Sequence, residues 1–217
     1  MFAPTGRPLG RGEGQFADYY ALFPGFSFRL TDNLGLMAGV SLIPGGSLSE
    51  QAIYLAPRLA FQVSDSFSFS TGVLYATVGG DADRVGAGIA FVVATFGRRH
   101  ASLSTGVGFG YVRDEGDLEL SNRPIVMLGG ELQLTNNLAL LSENWLLPEA
   151  GIGQQPFGLA LRFFGERLSA DFGVILVGEA LDEGVPIPWL SFSYRFGRKH
   201  GAAAPHGTGP SPRARLR

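Results

Sequence analysis

The sequence predicts an all-β protein: a closed, antiparallel, up-and-down transmembrane β-barrel of about 12 strands. Three observations predict it: apolar residues alternate with small or polar ones, short connections alternate with longer ones, and one strand face carries few charges. The composition agrees, since charged residues are 17% of the chain while Gly contributes 32 residues and Phe 17. Such a composition suits strands and tight turns.

The alternation divides the chain from Gln15 onward into stretches of about ten residues, each bounded by turn residues. These eleven stretches are predicted as strands at 15–30, 34–43, 51–63, 67–78, 84–96, 100–112, 123–134, 138–146, 155–164, 168–177 and 187–196. In 100–112, for example, Leu103 and Val107 share one face and Ser104 and Gly106 share the other. Most of the predicted strands therefore have an apolar face and a small or polar face.

The small and polar face indicates which side of the barrel meets water. Its charged and amide residues are Arg58, Gln62, Glu131, Gln133, Arg162, Asp171 and Arg195, and Glu143 joins them if its strand has the parity that we favour. This face is too sparse in charge for a solvated outer surface, whereas it suits the lumen of a membrane barrel. We interpret it as an ion-pair network that fills the interior or, alternatively, as the wall of a narrow polar pore or small-ligand site.

One contact within this set follows from a turn. If Glu166-Arg167 forms a two-residue turn, Arg162 and Asp171 lie directly opposite each other on facing strands.

The lengths of the connections predict which end of the barrel faces the periplasm. Short ones centre on 31–33, 64–66, 97–99, 135–137 and 165–167, and longer ones run over 44–50, 79–83, 113–122, 147–154 and 178–186. Short periplasmic turns alternating with longer outer loops are typical of outer-membrane barrels. The first and last predicted strands then both run downward, which gives an odd number of strands, whereas a closed antiparallel barrel needs an even one.

We therefore expect eleven complete strands and a truncated first strand. Residues 1–14 are interpreted as the remnant of that strand and an outer loop, 15–197 as the barrel, and 198–217 as a disordered basic tail. The segment Met1–Arg7 has no basic start followed by an apolar core, so it is not a signal peptide.

Aromatic residues near the longer loops predict a girdle at the outer membrane boundary, where Tyr and Trp are favoured. The predicted girdle consists of Tyr19, Tyr20, Tyr54, Tyr75, Tyr111, Trp145 and Trp189. Some of these have lumen parity, and ordinary aromatic enrichment in strands is the alternative interpretation.

Several segments of the chain resemble the corresponding segments of a known protein family. They are Phe2-Ala3-Pro4, Pro8-Leu9, Gly12-Glu13-Gly14, Thr31-Asp32-Asn33, Glu143-Asn144-Trp145, Arg162-Phe163-Phe164-Gly165-Glu166 and Phe192-Ser193-Tyr194-Arg195-Phe196-Gly197. Through them the chain resembles a family of uncharacterised bacterial outer-membrane barrel proteins. The resemblance implies a bacterial outer-membrane location and a further strand and signal sequence upstream of Phe2, but no activity, cofactor or catalytic residue. The closing segment resembles the assembly signal of such barrels, although the chain continues past Phe196.

Other function classes find little support. A net charge of −2 argues against binding to nucleic acid, and the absence of Cys excludes disulfides and thiolate chemistry. None of the three histidines, at 100, 200 and 206, is placed for a catalytic triad or a metal cluster. We expect no enzymatic activity, no catalytic residue, no metal and no cofactor, and we interpret the acidic loop residues as solvated.

The sequence thus predicts a monomeric outer-membrane barrel with a structural role or passive passage of small solutes. Its expected partners are membrane lipid, lipopolysaccharide and, through the last strand, the outer-membrane assembly machinery. The alternative is a soluble or periplasmic, lipocalin-like barrel that binds a small ligand. The two alternatives predict opposite directions for the apolar face of the strands, because a soluble barrel turns that face inward and a membrane barrel turns it outward.

Overall fold

The computed structural model of the chain describes residues 12–20, 22–47, 50–78, 85–98, 100–114, 117–148, 150–151, 154–177 and 186–197. Its strands are β1 (Glu13–Tyr19), β2 (Phe23–Arg29), β3 (Leu34–Val40), β4 (Ile53–Ser64), β5 (Phe67–Val78), β6 (Val85–Arg98), β7 (Ala101–Asp114), β8 (Asp117–Leu120), β9 (Ile125–Gln133), β10 (Leu138–Leu146), β11 (Phe157–Phe164), β12 (Leu168–Leu176) and β13 (Ile187–Gly197). In this described part of the chain, no helix is long and apolar enough to cross a membrane.

The strands form one closed antiparallel barrel. Neighbours in sequence pair with each other, and β1 closes the sheet by pairing with β13 from Glu13–Gly197 to Tyr19–Ser191. The short strand β8 pairs with the outer part of β7, and β9 pairs with the remainder. The barrel therefore has twelve strands and one short extra strand, which confirms the predicted fold class.

The segment predicted as one strand over 15–30 is two strands, β1 and β2. They are joined by a tight turn in which Leu22 N–H donates to Tyr19 O at 3.1 Å and Tyr20 has a φ of 59°. The prediction was wrong here because residues 20–22 include none of the Gly, Pro, Asn or Asp that mark a turn.

This turn also changes the strand count. The twelfth strand is β1, and closure needs no further strand before residue 15. The predicted domain boundary after residue 14 falls inside β1, whereas residues 1–11 and the tail from 198 lie outside the described residues.

The barrel also contains an internal repeat that we did not predict from the sequence. Residues 30–58 and 134–162 align without gaps at an offset of 104. Leu30, Thr31, Asn33, Leu34, Leu36, Leu42, Pro44, Gln51, Leu55, Ala56 and Arg58 recur as Leu134, Thr135, Asn137, Leu138, Leu140, Leu146, Pro148, Gln155, Leu159, Ala160 and Arg162.

The repeated residues make the same contacts. Leu30 N–H donates to Leu34 O at 2.8 Å, and Leu134 N–H donates to Leu138 O at the same distance. Strands β2 to β6 thus correspond to β9 to β13, and equivalent strands lie six places apart around the barrel. The two halves are therefore related by an approximate twofold axis along the barrel axis.

The longer loops 41–52 and 147–156 are fastened in the same way in both halves. The Gln51 side chain accepts from Ile43 N at 2.8 Å and donates to Ile43 O at 3.1 Å. The Gln155 side chain accepts from Leu147 N at 2.6 Å and donates to Leu147 O at 3.1 Å. Each amide thereby satisfies backbone groups that the strands leave at this end.

The barrel carries its large apolar side chains on the outside. Along β4, Ile53, Leu55 and Leu59 are exposed while Tyr54 and Ala60 are buried. The same alternation places on the outer surface Phe26, Phe28, Val73, Val92, Phe96, Leu103, Val107, Phe109, Leu128, Leu132, Phe157, Leu159, Leu161, Phe172, Leu190 and Phe192. The inner face is mostly small or polar, with two apolar clusters: Val93 and Met127 in one, and Leu141, Ala160 and Trp189 in the other.

Candidate functional site

A group of charged side chains occupies the interior, centred on Arg162 of β11. The register of β11 and β12 places Arg162 directly opposite Asp171, as predicted from the Glu166-Arg167 turn. Arg162 Nε and Nη2 donate to Asp171 Oδ1 and Oδ2 at 2.7 Å and 2.8 Å. This is a bidentate, charge-assisted pair, which is the strongest arrangement open to these two groups.

Two further strands join this pair. Arg162 Nη1 donates to Glu131 Oε2 on β9 at 3.2 Å, and Ser191 Oγ on β13 donates to Asp171 Oδ2 at 2.8 Å. Four strands are thus tied together through one guanidinium and one carboxylate. Asp171 is 3% exposed at its side chain, whereas Arg162 and Glu131 retain 22% and 29%, so water reaches one side of the group.

The opposite wall contributes Arg58 of β4, the repeat equivalent of Arg162. Arg58 lies beside Gly35 and Gly72 on the interior face. Tyr19 of β1 is three strands from each arginine, and it interacts electrostatically with both Arg58 and Arg162. The two arginines on opposite walls are therefore both within electrostatic range of Tyr19. We call Tyr19, Arg58, Glu131, Arg162 and Asp171 the lumen cluster.

Glu143 has the parity that we favoured and faces the interior of β10. It is 6% exposed, and Trp145 Nε1 donates to its Oε1 at 3.1 Å. It also interacts electrostatically with Tyr19, so it borders the lumen cluster on the side of the longer loops.

The other predicted lumen residues lie at the short-turn end, away from the cluster. Gln62 donates to Ser64 O and Gln133 donates to Thr135 O, so both side chains fasten turns. Arg195 lies opposite Gln15 and is exposed at the end of β13. The structure thus brings five of the eight predicted residues to the centre of the lumen and places three at its rim.

Four of the seven residues of the predicted aromatic girdle face the interior, in line with the lumen parity noted for some of them. They are Tyr19, Tyr54, Trp145 and Trp189. Trp189, for example, is 4% exposed and packs on Leu141 and Ala160. Their height along the barrel suits a girdle, but the parity of their strands turns them inward.

The remaining girdle residues are compatible with a boundary position. Tyr75 and Tyr111 point outward and stack with ring centroids 6.3 Å apart. Tyr20 lies in the turn after β1, where burial and, to a smaller extent, the nearby Glu143 charge raise the pKa of its hydroxyl.

We did not predict from the sequence that Ser191 and Tyr19 face the lumen. Both could have been found, since Ser191 shares the parity of Arg195 on the last strand and Tyr19 that of Gln15 on β1. Much of the acidic loop sequence, including Asp81 and Asp182, lies outside the described residues. Among the described residues, no group of three or more His, Asp or Glu side chains is arranged to hold a metal ion.

Comparisons with known proteins add no family. A scan of the sequence against models of protein families finds none that matches. A search of curated proteins finds no significant match either.

Proposed function

We propose that this chain is a bacterial outer-membrane β-barrel with a structural role, whose lumen is constricted by the ion-paired lumen cluster. The observation that carries the proposal is the direction of the two strand faces. Large apolar side chains are exposed around the outside of the barrel and the lumen cluster lies within, while Asp18 of β1 and Arg113, near the long-loop end of β7, have outward parity.

The outer face is difficult to reconcile with water. On β7, Leu103, Val107 and Phe109 are 56%, 43% and 46% exposed on one continuous outward face. Leaving such a side chain in water instead of burying it costs about 1.5–3 kcal/mol. A lipocalin-like barrel would have the reverse arrangement, with these residues lining an apolar cavity. Lipid around the outer face removes the cost, which supports membrane insertion over that alternative.

The chain contains no Cys, so a single introduced Cys can be labelled specifically. We would place spin labels at Val107→Cys, which faces out, and at Ser104→Cys, which faces in, and reconstitute both variants in lipid vesicles. We expect the outward label to be more accessible to oxygen than to a water-soluble nickel complex, because oxygen concentrates in lipid. The inward label is the matched control and should not show this preference.

The alternative makes a distinct prediction in the same experiment. A soluble lipocalin-like barrel would remain in buffer without detergent, and its outward label would react fully with the nickel complex. That outcome would overturn the proposed membrane insertion.

A second candidate function is passive passage of small polar solutes. It is favoured by the partial exposure of Arg162 and Glu131, which shows that water reaches the lumen cluster. A solute would pass along this solvated side, where the walls present hydroxyl, amide and charged groups.

Conductance in planar bilayers separates the two functions. A constricted structural barrel should carry no current, and Arg162→Ala should open one, because it releases the side chains of Glu131 and Asp171. Passage predicts a small current through the parent protein. Gln62→Ala, at the short-turn rim, is the control and should behave like the parent. If neither the parent nor Arg162→Ala conducts, passage is refuted.

A further inference from the structure

The outer surface has a shallow groove on β6, β7, β9 and β10, towards the short-turn end of the apolar belt. It is mostly open to the outside and has a volume of about 520 Å³. Gly130 forms its floor, and a Cβ added there would meet only Ser102 O, at 3.9 Å. The side chains that wall the groove are Phe96, Leu103, Leu132, Leu140 and Ser142. The groove is therefore open space on the lipid-facing side, large enough for side chains of another molecule.

The internal repeat shows what occupies the equivalent place on the opposite wall. Gly130 and Leu132 pair with Ser142 and Leu140 as Phe26 and Phe28 pair with Ala38 and Leu36, so Gly130 corresponds to Phe26 and Leu132 to Phe28. Phe26 and Phe28 are 48% and 43% exposed. Their rings lie 6.2 Å apart, and Phe16 and Phe196 flank them at 5.1 Å and 5.7 Å. We call these four residues the aromatic ridge, which protrudes where the other half of the barrel has a groove.

Polar side chains face outward beside both surfaces: Asp18 of β1 lies beside the aromatic ridge, and Ser142 and Asn144 of β10 lie beside the groove. Ser142 and Asn144 face outward on β10, where the other half has Ala38 and Val40. Asn144 Nδ2 donates to Ser142 Oγ at 3.0 Å, while Asn144 Oδ1 is covered by the protein and has no hydrogen-bond partner among the described residues. Polar groups that face lipid are costly, whereas small and polar residues are favourable where two membrane proteins pack. This composition favours a protein over an acyl chain as the occupant.

We propose that the aromatic ridge of one copy of this chain docks into the groove of a second copy. The two surfaces are related by the twofold axis along the barrel, so they lie at the same depth and on opposite sides. All copies insert into a membrane in the same orientation, and a neighbour shifted sideways then presents its ridge to the groove. The contact is head-to-tail, so it produces rows or rings of barrels rather than the expected monomer.

This inference rests on the proposed membrane insertion, and the absence of Cys makes it directly testable. We would prepare the full chain with Phe26→Cys, with Ser142→Cys and with both, and treat each in membranes with a short bismaleimide. A mixture of the two single variants should give a cross-linked dimer, and the double variant should give a ladder of oligomers. Val73→Cys, which faces outward on β5 and lies three strands from both β2 and β9, is the control and should give neither.

The head-to-tail geometry requires that neither single variant cross-links to itself. A Phe26→Cys homodimer would mean that the ridges meet each other, and would overturn the proposal. No cross-link between positions 26 and 142 in folded protein would overturn it as well.

Filling the groove provides a second, independent measurement. Gly130→Phe places at this site the residue found in the other half, and the open space above Gly130 should allow the barrel to fold, as heat-dependent gel mobility would show. We expect the ladder of the double variant to disappear when Gly130→Phe is added. A ladder that persists would overturn the proposal, and so would a monomer that retains bound phospholipid in native mass spectrometry, since an acyl chain would then fill the groove.

The two proposals can fail separately. If the label at Val107 lies in lipid and no 26–142 cross-link forms, only the docking inference fails. If that label lies in water, membrane insertion fails and the docking inference fails with it.

Discussion

Replacing Asp171 with Asn should destabilise the barrel measurably, because it removes the carboxylate that holds Arg162 in the lumen. The bidentate pair has contacts of 2.7 Å and 2.8 Å, and the Asp171 side chain is 3% exposed. Removing one member of a buried pair typically costs about 3–5 kcal/mol, because the other charge is left without compensation.

The structure indicates a loss below that range. Arg162 is 22% exposed and keeps Glu131 at 3.2 Å, so water and a second carboxylate still compensate its charge. We therefore expect Asp171→Asn to lower the free energy of unfolding by about 2–3 kcal/mol. Glu131→Gln, which removes a longer and more exposed contact, should cost about 1 kcal/mol or less.

Urea unfolding in lipid vesicles, followed by tryptophan fluorescence, measures both losses. Trp189 packs in the interior beside the strands that carry the pair, so its emission reports on the same region. Asp65→Asn, in an exposed short turn, is the control and should leave the midpoint unchanged. If Asp171→Asn and Asp65→Asn unfold at the same urea concentration, the pair does not stabilise the barrel and the reasoning is refuted.

Three other predictions use the same unfolding assay. Gln51→Ala and Gln155→Ala should each lower the free energy of unfolding by about 2 kcal/mol, because the two substitutions remove equivalent hydrogen bonds from the two loops. A loss confined to one of them would contradict the equivalence of the two halves. Tyr20→Gly should be more stable than Tyr20→Ala by about 1 kcal/mol, since Gly adopts the positive φ of this turn without the steric cost of a Cβ; equal stability would show that the turn adopts another conformation. Gly173→Ala should strongly destabilise the barrel, because its Cβ would lie 2.1 Å from Leu159 O, whereas Gly165→Ala, with open space around it, should be neutral; similar effects of the two would contradict the packing at Gly173.

The strand faces and one contact of the lumen cluster could be predicted from the sequence. Alternation is a local property, so the inward direction of Arg162 and Asp171 follows from their neighbours, and the Glu166-Arg167 turn then fixes their register. The third member, Glu131, comes from another hairpin. The local sequence pattern does not determine which residue of β9 contacts Arg162, and only the completed sheet brings Glu131 and Arg162 together.

Two features were present in the sequence but were not predicted. The recurrence of Leu30-Thr31 as Leu134-Thr135, followed by Gln51 and Gln155 at the same offset, identifies the repeat without a structure. The turn after Tyr19 is a different case, because a positive φ at Tyr20 has no sequence signature. Neighbouring strands impose that conformation, which explains why two strands were predicted as one.

The sequence by itself determined the antiparallel barrel, its apolar outside and its polar inside, because these depend on alternation and on turns that act over a few residues. Only the tertiary structure decided that β1 closes on β13, that Arg58 and Arg162 lie on opposite walls, and that Phe26 forms a ridge where Gly130 leaves a groove. These relations join residues far apart in the chain, and their geometry is fixed only when the whole sheet closes.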